Sequence, residues 1–262
     1  MSDEEKTTAT ETVDHSADRE VERAIARKTR RSLLVGGVAS LAGFGAWSWL
    51  RTRRQDDEIP WPMRVVLRGN EQIARDYYKP ARLARTFEAS DIESLRQNGD
   101  VGIEDQVDPN WKLQVTSGDG SAEPLSVTLD EIKALPKIEI ITELKCIEGW
   151  SRINKWGGAR FSDFVKKFAP DQTDPSGYVA LRTPDGQYYV GLDMPSALHP
   201  QTLLCYEMNG AALTPDHGAP LRLYTPVKYG VKNLKRIGTI TFGSERPADY
   251  WAERGYDWYA GL

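Results

Sequence analysis

A lone cysteine stands in Glu143-Leu144-Lys145-Cys146-Ile147-Glu148-Gly149-Trp150, and a basic run extends from His217 through Arg222, Lys228, Lys232 and Lys235 to Arg236. No acid lies between Asp216 and Glu245, yet five lysines or arginines do, in a chain of formal net charge −4. A thiolate donor on one segment and a concentrated anion-binding surface on another are what a phosphorylated, metal-bearing cofactor requires. Gly218, Pro226 and Gly230 interrupt the basic run. It therefore reads as a loop whose amides and ammonium groups hold a phosphate or an anionic ring system.

Simpler readings stand beside this one. Cys205 lies in the apolar run Leu203-Leu204-Cys205-Tyr206, where a cysteine is a small buried hydrophobe. In an oxidising compartment Cys146 and Cys205 could form a disulfide, leaving a non-catalytic, exported anion-binding domain. A Cys–His hydrolase with Cys146 as nucleophile and His217 as base is the enzymatic rival, although no nucleophile motif surrounds Cys146. Disulfide, buried thiols and functional thiolate all stay open on these residues. The chain has no Cys-x-x-Cys, no His-x₃-His, no glycine-rich dinucleotide loop and no phosphate-loop motif. His199, before Pro200, reads as structural.

The elements that must position these groups are short. Met63–Tyr78 has helical spacing and is stopped by Pro80. Asp91–Asn110 is polar and irregular, a surface loop. Trp111–Val115 and Leu125–Leu129 read as strands around a turn at Ser117–Gly120, and Asp130 caps a short helix reaching Leu135. Ile138–Leu144 is a strand delivering Cys146 at its end. Phe161–Phe168 is an amphipathic helix, and Asp193–Leu198 a short one. Gly177–Leu181 and Tyr188–Leu192 flank the hairpin signal Pro184-Asp185-Gly186, and Gln201–Met208 before Asn209-Gly210 repeats it. Leu221–Tyr224 and Ile237–Phe242 complete the strands. Many short strands with few short helices predict a single α+β domain over a mixed sheet, spanning residues 61–262.

Residues 1–31 hold eight acids and seven bases with few bulky apolar side chains, and read as a disordered tail. Ser32–Leu50 is nineteen residues without a charge, about 30 Å as a helix and enough to cross a bilayer. Trp47 and Trp49 sit at an interfacial position, and residues 51–60 form a linker. Thr29-Arg30-Arg31-Ser32-Leu33-Leu34 resembles the twin-arginine export signal, and no small-x-small cleavage site follows, so the helix is expected to stay as an anchor. Positions 1–54 carry eight acids and ten bases, which leaves 30 acids against 24 bases from totals of 38 and 34. That acidic balance argues against a nucleic-acid partner.

The segment Lys145-Cys146-Ile-Glu-Gly-Trp150-Ser151, followed by Trp156, resembles the cysteine segment of the sulfite-oxidase fold. His199-Pro200-Gln-Thr-Leu, Asn209-Gly210, His217-Gly-Ala-Pro-Leu-Arg222, Lys228-Tyr229-Gly230-x-Lys232, Glu245-Arg246-Pro247 and Tyr250-Trp251 follow in that family's order. The resemblance covers residues 60–262 and is nearest the bacterial branch that contains the periplasmic protein-methionine-sulfoxide reductase catalytic subunit.

The resemblance implies a molybdenum-dependent oxidoreductase with one molybdopterin, catalysing oxygen-atom transfer or a related two-electron reaction on a small S-oxide, N-oxide or sulfite-like substrate. Cys146 would be the protein thiolate on molybdenum beside the pterin dithiolene. Phe87 and Glu88 lie where the family's early loop meets the pterin, and Thr183 matches a pterin-contacting threonine. His217 and Arg222 would contact the pterin and its phosphate, with Asn233, Leu234 and Lys235 closing over it. Arg222 offers a bidentate fork, and Lys228, Lys232 and Lys235 act as point charges. Arg152, close after Cys146, would face an anionic or oxo substrate. The reductase branch has asparagine where this chain has His217, and no asparagine stands near Ala84, so methionine-sulfoxide reduction is not carried over. With no Cys-x-x-Cys-His for a haem, electrons are expected to pass to or from a separate membrane haem- or quinone-linked partner, on the periplasmic face.

Overall fold

A computed structural model describes residues 16–56, 59–103, 107–117 and 123–262. Most of the turn expected at 117–120 and the first fifteen positions of the expected tail lie outside them. The chain divides into two compact units, residues 1–54 and 55–262.

The first unit is one helix, α1 (Ser16–Arg51), long and apolar enough to cross a membrane. Helix also covers residues 16–31, where a disordered tail was expected. Once an apolar helix is nucleated, propagation through Arg, Glu and Ala costs little, because these side chains have high helix propensity.

The second unit opens with a two-residue hairpin, β1 (Gln55–Asp56) and β2 (Ile59–Pro60), leading directly into α2 (Trp61–Tyr77). There follow β3 (Leu113–Ser117), β4 (Leu125–Val127), α3 (Leu129–Lys133), β5 (Lys137–Lys145) and β6 (Ser151–Arg160). Then come α4 (Phe161–Phe168), β7 (Tyr178–Arg182), β8 (Tyr189–Asp193), α5 (Met194–Ala197), β9 (Leu203–Met208), β10 (Ala211–Ala212), β11 (Arg222–Tyr224) and β12 (Thr239–Gly243). The cap of α3 is Thr128, whose Oγ1 accepts from Glu131 N while the Glu131 carboxylate accepts from Thr128 N. Asp130 therefore sits inside the helix instead of capping it.

Two five-stranded sheets result. One is antiparallel, in the order β10-β9-β6-β5 with β11 also on β9; the other runs β4-β3-β12-β7-β8 and is mixed, since β12 pairs β3 in parallel. The main core gathers Leu204, Tyr206 and Leu223 of the first sheet with Leu113, Leu181, Val190 and Ile240 of the second, with Phe161 and Phe164 of α4 also in it. On the other face of β9, Leu203 and Cys205 pack with Trp156 and Tyr224 in a second cluster. Strand β9 is thus buried on both faces, which is why it reads as a continuous apolar run.

Strand β6 was not expected from the sequence. It is the widest element of the antiparallel sheet, pairing β5 along its length and β9 with a register shift at Gly157/Gly158. A Cβ added at Gly158 would fall 2.1 Å from Leu204 O and 2.7 Å from the Cys205 Cα. Glycine there lets the two backbones touch, at the cost of a sequence signal that does not look like strand.

Candidate active site

Cys146 follows β5 at the tip of the β5–β6 hairpin. Its N–H donates to Trp150 O (2.9 Å), and its carbonyl accepts from Gly149 N (3.1 Å). Gly149 takes φ +86°, the left-handed conformation this turn needs and glycine supplies without strain. The basic segment returns onto this tip. A Cβ at Gly230 would lie 3.4 Å from Lys145 O and 3.8 Å from the Cys146 Cα. The sulfur and the cationic loop, more than seventy residues apart in sequence, therefore share one cleft of about 180 Å³.

Six residues singled out from the sequence line that cleft: Cys146, Arg152, His217, Arg222, Asn233 and Lys235. Arg222 leaves β11 and lays its guanidinium 4.9 Å from the centroid of the Trp156 indole, which is itself stacked on Tyr224 at 4.0 Å. It donates to His217 O (3.0 Å) and Asn233 O (3.5 Å). Asn233 is fixed by accepting from Thr225 N (2.6 Å), and Lys235 donates to Gly99 O (2.8 Å) and Asp216 O (3.0 Å). Yet Arg222 Nε, Asn233 Nδ2, His217 Nε2 and Arg152 Nε are buried without a partner. Leaving a buried polar nitrogen unsatisfied costs about 1–3 kcal/mol each, so three guanidinium or amide donors and an imidazole nitrogen around one cleft mark a place built for a polar ligand.

The electrostatics agree. Burial, with the neighbouring Cys205 and Tyr224 opposing, brings Arg222 down to about 10, so it is charged at neutral pH. Burial and then Arg222 push Lys235 down to about 8, and burial followed by Arg222 and Lys235 lowers His217. Arg222 thus raises the cost of charging Lys235 and His217, and an anion placed among them relieves it. Burial, offset by backbone hydrogen bonds, raises the Cys146 thiol. Among the described residues no group of three or more His, Cys, Asp or Glu could hold a metal ion. A metal at Cys146 therefore needs most of its ligands from a cofactor.

The remaining expected contacts lie elsewhere. Lys232 is fully buried and ion-paired to Asp249 at 2.5 Å, also donating to Gly191 O. Lys228 is buried with its Nζ 2.9 Å from the Tyr259 ring centroid. Neither is a point charge facing the cleft, because each is folded inward by aromatic and acidic groups distant in sequence. Leu234 is core. Thr183 closes the β7–β8 hairpin, donating to Asp185 Oδ1 (2.5 Å) and accepting from Tyr188 N. Phe87, whose N–H donates to Ile141 O (3.0 Å), lines a separate cleft with Tyr77 and Arg82, and exposed Glu88 caps the turn Ala89–Asp91. Arg152 lines the cleft but donates to Glu93 Oε1 at 3.3 Å.

Both cysteines are free, so Cys146 and Cys205 form no disulfide. Nor is His217 set to activate Cys146: its Nδ1 bonds Thr214 Oγ1 (2.9 Å) and its Nε2 has no partner. The loop read as plain surface supplies what the sequence reading missed. Asn98 Nδ2 lies 4.0 Å from Cys146 Sγ, and Arg96 stacks on Trp150 at 4.3 Å. Tyr188 and Trp251 complete the walls. An asparagine in an aperiodic polar stretch carries no signal that distinguishes it from solvated loop.

Residues 99–251 match the family described as the oxidoreductase molybdopterin binding domain. The chain belongs to this family. A putative protein-methionine-sulfoxide reductase subunit, YedZ1, of Azospira oryzae is 31% identical over 236 residues, 88% of this chain and 86% of that protein. The protein-methionine-sulfoxide reductase catalytic subunit MsrP of Xanthomonas axonopodis pv. citri is 37% identical over 220 residues, 74% of this chain and 65% of its own. An uncharacterized oxidoreductase of Bacillus subtilis, YuiH, is 34% identical over 148 residues, covering 56% of this chain and 72% of that protein. The family member described here is thus a molybdopterin-dependent oxidoreductase of the sulfite-oxidase type, and molybdenum–molybdopterin is its cofactor. Four unpartnered nitrogens, the cations Arg222 and Lys235, and one soft sulfur in a single cleft fit that group.

Proposed function

We propose that Cys146 binds molybdenum as a thiolate in this cleft, while Arg222, His217, Asn233 and Lys235 hold the pterin and its phosphate. The convergence of four unpartnered buried nitrogens, three of them donors, on the cleft that contains Cys146 supports this most directly. When bound, the molybdenum cofactor supplies two-electron redox chemistry. The chain supplies position and charge. Arg222 can give a fixed guanidinium edge to phosphate oxygens, preorganised by the indole beneath it. Trp150, Tyr188 and Trp251 exclude water from the mouth, and Arg96 and Asn98 offer donors on the open side. Arg152, neutralised in part by Glu93, orients and does not dominate the charge.

A mouth with hydrogen-bond donors and aromatic walls suits a small substrate with a polar oxygen on sulfur or nitrogen. Reduction of such an S- or N-oxide is the reaction we assign, with electrons from a separate haem- or quinone-linked membrane protein. Methionine sulfoxide, named for the relatives, is the first candidate, although His217 stands where the reductase branch has asparagine. The twin-arginine-like segment before the apolar run supports export, with α1 as an anchor and the oxidoreductase unit on the periplasmic side.

The test uses the full chain, expressed with its export segment in a host that makes the cofactor. Viologen-coupled reduction of methionine sulfoxide, dimethyl sulfoxide and trimethylamine N-oxide is compared with dye-coupled sulfite oxidation. Turnover of an S- or N-oxide, lost in Cys146→Ser, supports the assignment. Sulfite oxidation alone, from molybdenum-replete protein, overturns the reductive reading.

A further inference from the structure

Helix α2 is amphipathic with its polar side facing inward. Arg64, Glu71 and Arg75 recur at i, i+7 and i+11 and point into the protein. Arg64 Nη2 donates to Ala252 O (3.0 Å), Glu71 binds Arg75 (2.9 Å) and Arg246 (3.0 Å), and Arg75 reaches Asp193 (3.1 Å). Val66, Ile73 and Tyr77 repeat the same spacing two residues later, about 200° around the helix. They are 64%, 70% and 61% exposed. A soluble surface helix has the opposite arrangement. The apolar stripe continues past the helix into exposed Leu83, beside a second cleft lined by Tyr77, Phe87, Arg82 and Arg85.

We propose that this face of α2 lies in the interfacial layer of an anionic phospholipid bilayer. The proposal rests on the reading of α1 as a retained membrane anchor. Only Thr52, Arg53 and Arg54 separate the end of α1 from the β1–β2 hairpin that leads into α2. Chain at about 3.3–3.6 Å per residue cannot carry the hairpin far from where a membrane helix emerges. A bilayer is thus the apolar phase within reach of every anchored copy. Charge agrees as well. Lys79, Arg82 and Arg85 are exposed in this segment against Asp76 and Glu88, in a unit that is otherwise acidic. Basic groups beside an apolar stripe suit anionic headgroups over acyl chains.

Placing a benzophenone amino acid at Ile73 of the cofactor-loaded full chain tests this. The protein is reconstituted into phosphatidylcholine/phosphatidylglycerol vesicles, irradiated and analysed by mass spectrometry, with the same label at exposed Lys166 of α4 as control. Lipid adducts at position 73 and none at 166, reduced several-fold when Arg82 and Arg85 are both changed to Gln, are expected. Adducts to a second copy or to another protein, or no lipid adduct, overturn the proposal. Intact mass separates the two claims. A chain that retains α1 without lipid adducts overturns the α2 surface alone, whereas a chain processed to remove α1 overturns the anchor reading and this one with it.

Discussion

The guanidinium of Arg222 rests 4.9 Å above the Trp156 indole, with both side chains at the floor of the cleft that holds Cys146. Strand β11 carries one and β6 the other, and both strands pair with β9. The indole fixes the plane of the guanidinium, and backbone carbonyls of His217 and Asn233 take Nη1 and Nη2. Nε is left for a ligand.

Arg222→Lys should therefore weaken cofactor retention although the charge is kept. A lysine cannot reproduce the planar fork or the stack, and a charge-assisted hydrogen bond is worth about 1.5–3 kcal/mol, or about 10- to 100-fold in affinity. Pterin fluorescence after oxidative release, measured per folded chain following dialysis, reads this. Retention equal to wild type would remove Arg222 from the cofactor site.

Lys235 gives a pH dependence. Burial and Arg222 hold its ammonium down to about 8 from the usual 10.5, with Asp216 and Asp100 opposing. Below pH 8 it is charged in the cofactor-free site and contributes fully to anion binding; above it anion binding must take up a proton, and the contribution falls with pH. Cofactor affinity should fall as pH rises above about 8, and Lys235→Met should flatten the decline. For the cofactor-free protein the sign is the reverse. The unfolded chain keeps this proton to about 10.5, so between 8 and 10.5 it binds more protons and the group's contribution to stability rises with pH.

Much of the site was legible because residue type and order carried it. Cys146 after an apolar strand, and His217, Arg222 and Lys235 in an acid-free stretch, meet around one cleft as expected. The rest depended on partners that periodicity does not show. Lys232 is claimed by Asp249 and Lys228 by Tyr259, both contributed by the C-terminal segment. Asn98 comes from a loop with no pattern, and β6 hides behind Gly157-Gly158, which only the close approach of β9 explains. Thr128 outcompetes Asp130 as cap because Glu131 completes the reciprocal pair with Thr128.

The Lys232–Asp249 pair is a structural claim with its own test. Both side chains are almost fully buried, so Asp249→Asn leaves an uncompensated ammonium and should cost about 3–5 kcal/mol. A fall in Tm with unchanged cofactor content per folded chain is expected. A loss of cofactor at unchanged stability would return Lys232 to the binding site.

Gly158→Ala should disrupt the β6–β9 contact, because its methyl would enter the Leu204 carbonyl at 2.1 Å. Overpacking of this kind costs about 1–3 kcal/mol or more. Thermal unfolding of the purified variant checks it, and an unchanged Tm would contradict the close approach.

The most direct measurement is molybdenum K-edge X-ray absorption of the wild type and of Cys146→Ser, each normalised to molybdenum content. One fewer sulfur neighbour at the metal in the variant, with the oxygen shell increased, is the predicted result. A sulfur count that does not change between the two proteins would show that Cys146 is not a ligand, and would contradict the account at its centre.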